Sequence, residues 1–248
     1  MTLEAIAART LAFALLVSSS ALTAAAQEFN AQYLPFPEGR MRRFPLTRTE
    51  LDGPAIMSGR GMTVSGVTVR EEEGEGGAGR LVFTGRGKGG DEWRVEARSA
   101  GPHYEAAYEG DLDRNGVRDL VFAIGTGGNG LAPPTRLVFL TFDRRGLPAL
   151  FEATGFFDPR PDGVFDLVDL DGDRRAELVF MAFDDGYWVT NLYRVRDSRW
   201  SRVSGRFAGL RFPAYTRFTH RPNHRPMRPA RGRNPVAPDL LEQNRRTP

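Results

Sequence analysis

Two stretches of the chain carry nearly the same nine-residue acidic loop, and each runs straight into Leu-Val-Phe. The first is Asp111-Leu112-Asp113-Arg114-Asn115-Gly116-Val117-Arg118-Asp119. The second, 58 residues later (169 − 111), is Asp169-Leu170-Asp171-Gly172-Asp173-Arg174-Arg175-Ala176-Glu177. Each offers carboxylate or amide oxygens at positions 1, 3 and 5, a backbone carbonyl at 7 and a carboxylate at 9. That is how a short loop wraps oxygens around a hard cation such as Ca²⁺. Polar hairpin turns also favour Asp, Asn and Gly, so one copy alone reads either way. Two copies in register, each leading into a strand-forming run, point to a chain built by repetition of a structural unit.

Short apolar runs bounded by Gly, Asp and Pro recur along the chain. They are Met62 to Val69, Leu81 to Phe83, Trp93 to Ala97, Leu120 to Ile124, Leu137 to Phe142, Leu178 to Phe183, Tyr187 to Val195 and Trp200 to Phe207. Their length, turn punctuation and richness in Val, Phe and Tyr predict strands rather than helices. Overlaying the two halves extends the repeat. A strand candidate precedes each loop (Tyr104 to Tyr108; Val164 to Val168), another follows it, and a third and fourth come after (Arg136 to Leu140 and Leu150 to Thr154; Asn191 to Val195 and Trp200 to Ser204). Arg80 to Phe83 and Trp93 to Ala97 repeat the last two strands once more upstream. The fold class that results is all-β: three four-stranded antiparallel units, about 51–103, 104–160 and 161–210, the first without an acidic loop. A four-stranded unit at this period is the signature of propeller blades, so the architecture expected is β-propeller-like with few blades. Leu120, Phe122, Leu178 and Phe180 should then be buried, with Val121 and Val179 on the opposite faces of their sheets.

The segments Gly110 to Val121 and Leu167 to Val179 resemble the FG-GAP / VCBS-type repeat of integrin α-chain propellers and many exported bacterial proteins. That family's loop reads D-x-D-G-D-G-x-x-D-L, binds Ca²⁺ and joins the first two strands of a blade. The resemblance covers roughly residues 104–207. It implies side-chain ligands Asp111, Asp113, Asn115 and Asp119 with the carbonyl of Val117 at one site. At the other it implies Asp169, Asp171, Asp173 and Glu177 with the carbonyl of Arg175. Arg114 stands where the pattern has its first glycine, and Arg174 stands at position 6, where a sharp turn wants positive φ. Arginines beside the ligands also reduce the local negative field. An EF-hand would need a bidentate Glu at position 12, but position 12 is Phe122 in one copy and Phe180 in the other.

The first 26 residues read as a secretory signal peptide: a short n-region ending at Arg9, an apolar core from Leu11 to Val17, and Ala24-Ala25-Ala26 before Gln27. That core is well short of the roughly 20 apolar residues a membrane helix needs, and no later segment is apolar enough to span. The expected location is secreted or periplasmic. An extended segment, 27–50, leads into the repeats. With no cysteine, neither disulfides nor a lipid-acceptor thiol contribute. Residues 219–248 form a Pro- and Arg-rich run that reads as a disordered tail. Eight arginines from Arg217 onward against Asp239 and Glu242 give this end +6, so an overall +3 leaves about −3 for the body (+3 − 6). Nucleic-acid binding needs cations clustered on a folded surface, and no nucleic-acid partner is expected.

Catalytic constellations are thin. The histidines are His103, His220 and His224, two of them in the tail, which argues against a His-based triad or zinc site in the body. No Gly-x-Ser-x-Gly occurs, and neither glycine run continues into the Lys-Ser or Lys-Thr of a phosphate-cradling loop. Asp184-Asp185-Gly186 reads as a turn, with Tyr187-Trp188 beyond it as an aromatic tip able to stack on sugar rings. The residues thus point to an exported, non-catalytic module with structural Ca²⁺ that presents loops to a protein or glycan ligand. The alternatives are an extracellular hydrolase acting on a polymer such as a glycan, and a periplasmic protein that docks on an acidic surface through its tail.

Overall fold

A computed structural model describes residues 31–73, 79–98, 103–127, 134–184 and 186–228. The expected signal peptide, the tail beyond Arg228, and the turn residues Gly128, Asn129, Gly130 and Asp185 lie outside the described residues. Among those that are described, no helix is long and apolar enough to cross a membrane.

The fold is all-β, and among the described residues there are three antiparallel sheets of four to six strands, none closed into a barrel. The first sheet is a meander of Met62–Val64, Val67–Glu73, Gly79–Arg86 and Glu92–Arg98. The middle sheet is a meander of His103–Gly110, Asp119–Gly125, Thr135–Phe142 and Pro148–Gly155, with Thr47–Glu50 paired beside His103–Gly110. The third runs through Leu167–Asp169, Glu177–Asp184, Tyr187–Arg196 and Arg199–Arg202. Arg42–Arg43 pairs with its first strand and Ala214–Arg217 with its third. The segment expected to be merely extended therefore supplies an edge strand to two sheets.

Three local expectations are corrected. Met62 to Val69 is not one strand but a hairpin that reverses at Ser65 (φ 48) and Gly66 (φ 82), the left-handed pair that a two-residue hairpin turn requires. Trp200 to Phe207 divides: Arg199–Arg202 ends, and Gly205–Phe207 forms a separate hairpin with Leu210–Phe212. Val164 pairs with Pro159 in a small hairpin rather than continuing into Leu167–Asp169. A five-residue helix, Gly53–Met57, was also unforeseen, being too short to show a periodicity. It starts because Asp52 accepts a hydrogen bond from the Ala55 amide at 3.0 Å and Pro54 sits in the first turn.

The sheets meet face to face, and alternation along each strand decides which neighbour a side chain meets. In Asp119–Gly125, Leu120, Phe122 and Ile124 pack toward the first sheet against Leu81 and Phe83. Val121 and Ala123 point the other way and join Leu178, Phe180, Tyr193 and Trp200 of the third sheet. Val179 faces away from Leu178, into a cluster with Leu34, Phe36 and Phe212. The middle sheet is thus apolar on both faces. A bulge between Tyr104 and Ala106 shifts the register of its first strand, which places Tyr104 and Ala107 on one face although three positions separate them.

The two outer faces end differently. On the first sheet Arg70, Glu72, Arg94, Glu96 and Arg80 form a ladder of ion pairs at 2.8–2.9 Å. On the third, the chain around Leu34 to Met41 and the hairpin with Phe207 and Leu210 lie over Val168, Val179 and Leu192. The expected tail boundary at Thr219 falls inside this covering. The Asn223 amide donates to the Gln32 carbonyl at 3.0 Å, His224 Nδ1 lies 2.9 Å from the Leu34 carbonyl, and Met227 bridges Tyr215. Residues 219–228 accordingly belong to the body.

Candidate metal centre

Each acidic loop joins the first strand of a sheet to the second: 111–119 in the middle sheet, 169–177 in the third. The same place in the first sheet holds the Ser65-Gly66 turn. The two loops share one internal hydrogen-bond scheme except for one donor to position 1, which comes from position 5 in the first loop and position 4 in the second. The position 1 carboxylate accepts two loop amides: Asp111 from Asn115 (3.0 Å) and Gly116 (2.9 Å), Asp169 from Gly172 (2.8 Å) and Arg174 (3.1 Å). Asp113 and Asp171 each accept from the amide two residues on, both at 3.1 Å. Asn115 Oδ1 and Asp173 Oδ1 do the same for position 7, at 2.7 and 2.9 Å. The position 9 acids reach back to position 2: Asp119 to the Leu112 amide at 2.8 Å, Glu177 to the Leu170 amide at 2.9 Å.

The departures from glycine fit the same backbone. Positions 4 and 6 are left-handed in both loops: Arg114 (φ 60) and Gly116 (φ 84) in one, Gly172 (φ 82) and Arg174 (φ 63) in the other. Each loop thus has glycine at one such position and arginine at the other, where a non-glycine residue costs about 1 kcal/mol or more. An identical path kept against that cost is a property of the loop, not of one residue.

The carboxylates converge. Asp111, Asp113 and Asp119 bring oxygens within 4.8 Å of one another, as do Asp169, Asp171 and Glu177. Asp173 stands outside the second group and is engaged by Arg175 Nη1 at 3.2 Å and Arg194 Nη2 at 3.4 Å. The Asn115 amide nitrogen donates to the Phe142 carbonyl at 2.6 Å, which ties the first loop to the third strand of its own sheet. Asp119 is fully buried, and burial pushes its carboxyl up to about 8, with Asp113 and Asp111 adding to the rise and amides of Phe142 and Leu112 opposing it. Burial likewise raises Glu177 to about 8, helped by Asp171 and Asp173 and opposed by the Leu170 amide and Arg194. Glu177 Oε1 is buried and accepts no hydrogen bond from the described residues. All-oxygen groups of this kind fit a hard divalent cation, which would favour the ionised form of each position 9 acid.

The loops also hold each other. Arg114 Nη1 of the first donates to the Asp173 carbonyl of the second at 2.9 Å, and Arg175 Nε returns a bond to the Asp113 carbonyl at 3.1 Å. The Ala176 amide donates to the Leu112 carbonyl at 2.8 Å. Asp113 Oδ2 accepts the Ser198 amide of the third sheet at 2.6 Å. Sequence reasoning missed Ser198 and Arg194. Ser198 left no signal, since its shortest bond to the loop is made by its backbone amide and its hydroxyl adds only longer contacts to Asp113 and Asn115. Arg194 did leave one: it is the one charged residue in the otherwise buried stretch from Trp188 to Val195, and the pairing sets it opposite Glu177.

Comparison with family models, with curated proteins and with solved structures finds no match for this chain.

Proposed function

We propose that this chain is an exported, non-catalytic β-repeat module of the FG-GAP / VCBS type, whose acidic loops bind structural Ca²⁺ and whose propeller-like stack of sheets presents surface loops to a protein or glycan partner. The observation that carries the calcium reading is the pairing itself: two nine-residue loops at the same place in successive sheets, each converging three carboxylates within 4.8 Å. Asp111, Asp113 and Asp119 would hold one ion; Asp169, Asp171 and Glu177 form the corresponding second set. The ion supplies positive charge to buried carboxylates that otherwise resist ionisation. The chain's own residues do the rest: loop amides orient each carboxylate, and the Arg114 and Arg175 bonds clasp the middle sheet to the third. Ca²⁺ would therefore stiffen a junction between sheets, and export, read from residues 1–26, would take the chain to where millimolar Ca²⁺ is available.

The test is a calorimetric Ca²⁺ titration together with melting curves. Binding in the weak extracellular range, about 10⁻⁴ to 10⁻³ M, is expected, with a melting temperature that rises with Ca²⁺ by mass action. Asp113→Ala should abolish binding at the first loop. Melting that ignores both millimolar Ca²⁺ and chelator would show the loops to be polar turns.

A further inference from the structure

The two loops share a backbone but not a charge environment. Arg194 projects from the third sheet onto the second loop, with Nη2 at 3.4 Å from Asp173 Oδ2 and 3.5 Å from Asp171 Oδ2, and Nε at 3.6 Å from Glu177 Oε1. Its guanidinium lies 4.3 Å above the Phe207 ring, which holds the head in place. One guanidinium therefore faces the carboxylates at positions 3, 5 and 9, and two of these, Asp171 and Glu177, belong to the group whose oxygens a loop-bound cation would draw on. Among the described residues Glu177 Oε1 and Arg194 Nε are both buried without a hydrogen bond, so the arginine supplies charge there without satisfying the oxygen.

The first loop has no counterpart. Glu177 and Arg194 are direct cross-strand partners. Continuing the Leu120 to Leu140 pairing of the middle sheet by one residue sets Thr141 opposite Asp119. Thr141 is neutral, fully buried, and turns its hydroxyl to the Ser198 carbonyl at 2.6 Å. Among the described residues no ion pair reaches Asp111, Asp113 or Asp119.

We infer that Arg194 is the second loop's own counter-cation: Ca²⁺ enters the first loop, and Arg194 holds it off the second. This rests on the calcium reading of the loops and deepens it by making the two sites unequal. A unit positive charge within about 4 Å of the same carboxylates opposes a second cation through direct repulsion and through competition for oxygens. The first site needs the ion; the second folds with its charge already balanced in part.

The experiment is a Ca²⁺ titration of the protein, of Arg194→Met, which keeps the stem over Phe207 but removes the charge, and of Arg194→Lys, which keeps a charge. The protein should bind one equivalent at the first loop and a second at least about tenfold more weakly. Arg194→Met should strengthen the second site by about tenfold or more, and Arg194→Lys should leave it weak. An NMR titration of the unmodified protein needs no folded variant: the Gly116 amide should shift in the first phase, the Gly172 amide and the Arg194 Nε–H in a later one. Two equal sites, or simultaneous movement of all three signals, would overturn the role of Arg194 while leaving calcium binding intact. An Arg194→Met second site as weak as before does the same. No binding by any of the proteins overturns the calcium reading itself, and this inference with it.

Discussion

The first and middle sheets follow the same four-strand plan and pack on each other, yet they differ in what their second face meets and in how their first two strands are joined. The outward face of the first sheet carries Arg70, Glu72, Arg80, Arg94 and Glu96. Even Val82, between Arg70 and Glu96 in register, is buried under their stems rather than under another sheet. The middle sheet has no such face. Its first connection, 111–118, is eight residues long, where the first sheet needs only Ser65 and Gly66. Two residues suffice to reverse a chain, so the longer loop does something besides connect: it buries Leu112, takes the Ser198 amide on Asp113 and exchanges arginine bonds with the second loop. The stack is closed by charge at one end and clasped by loops at its inner junction.

The largest effect that tests this contrast is in the core. Phe122 is almost fully buried, with its ring 4.9 Å from Phe83 across the two sheets. Phe122→Ala should cost about 3–5 kcal/mol in urea unfolding. Thr84→Ala, on the outward face of the first sheet, should change stability by no more than about 0.5 kcal/mol. Similar losses at both would mean that the outward face is packed against something after all.

A middle-sized effect concerns the edge of the first sheet. Gly85 is the cross-strand partner of Trp93, and a Cβ there would stand 2.3 Å from the indole. The glycine lets the ring lie flat along the strand toward Phe142, 5.7 Å away. Gly85→Ala should displace the ring and destabilise by about 1–3 kcal/mol, with a shift in tryptophan fluorescence. Unchanged fluorescence would place Trp93 elsewhere and weaken the seam between first and middle sheets.

What was legible in the residues follows the same division. Leu120, Val121 and Phe122 read as strand because a sheet buried on both faces needs an unbroken apolar run, and the faces they take follow from alternation alone. The acidic loops were legible because their chemistry is local, a fixed spacing within nine residues. The Ser65-Gly66 turn was hidden because Val64 and Val67 are both buried on either side of it, so the apolar pattern runs through without a gap. The anchoring of residues 219–228 was hidden because His224 and Asn223 bond to backbone carbonyls far upstream, which composition cannot reveal. The inequality of the two loops came from Arg194 and Thr141, third-strand residues whose influence depends on register.

The smallest effect lies on the charged face itself. Hydrogen bonds from Arg94, then Arg70, with the positive charge of both, hold the Glu72 carboxyl down from 4.5 to about 2. Its folded value lies below its unfolded one, so the stability it contributes is present above about 4.5 and is lost as pH falls toward 2. Glu72→Gln should therefore flatten part of the acid limb of melting temperature against pH while leaving the neutral value almost untouched. The change should be slight, because solvent-exposed pairs contribute little, and added salt should mimic it by screening. A slope as steep in the Gln variant as in the parent would assign the acid limb to other carboxylates. The ladder would then end the stack by repelling a further sheet, through the cost of desolvating its charges, without stabilising the sheet that carries it.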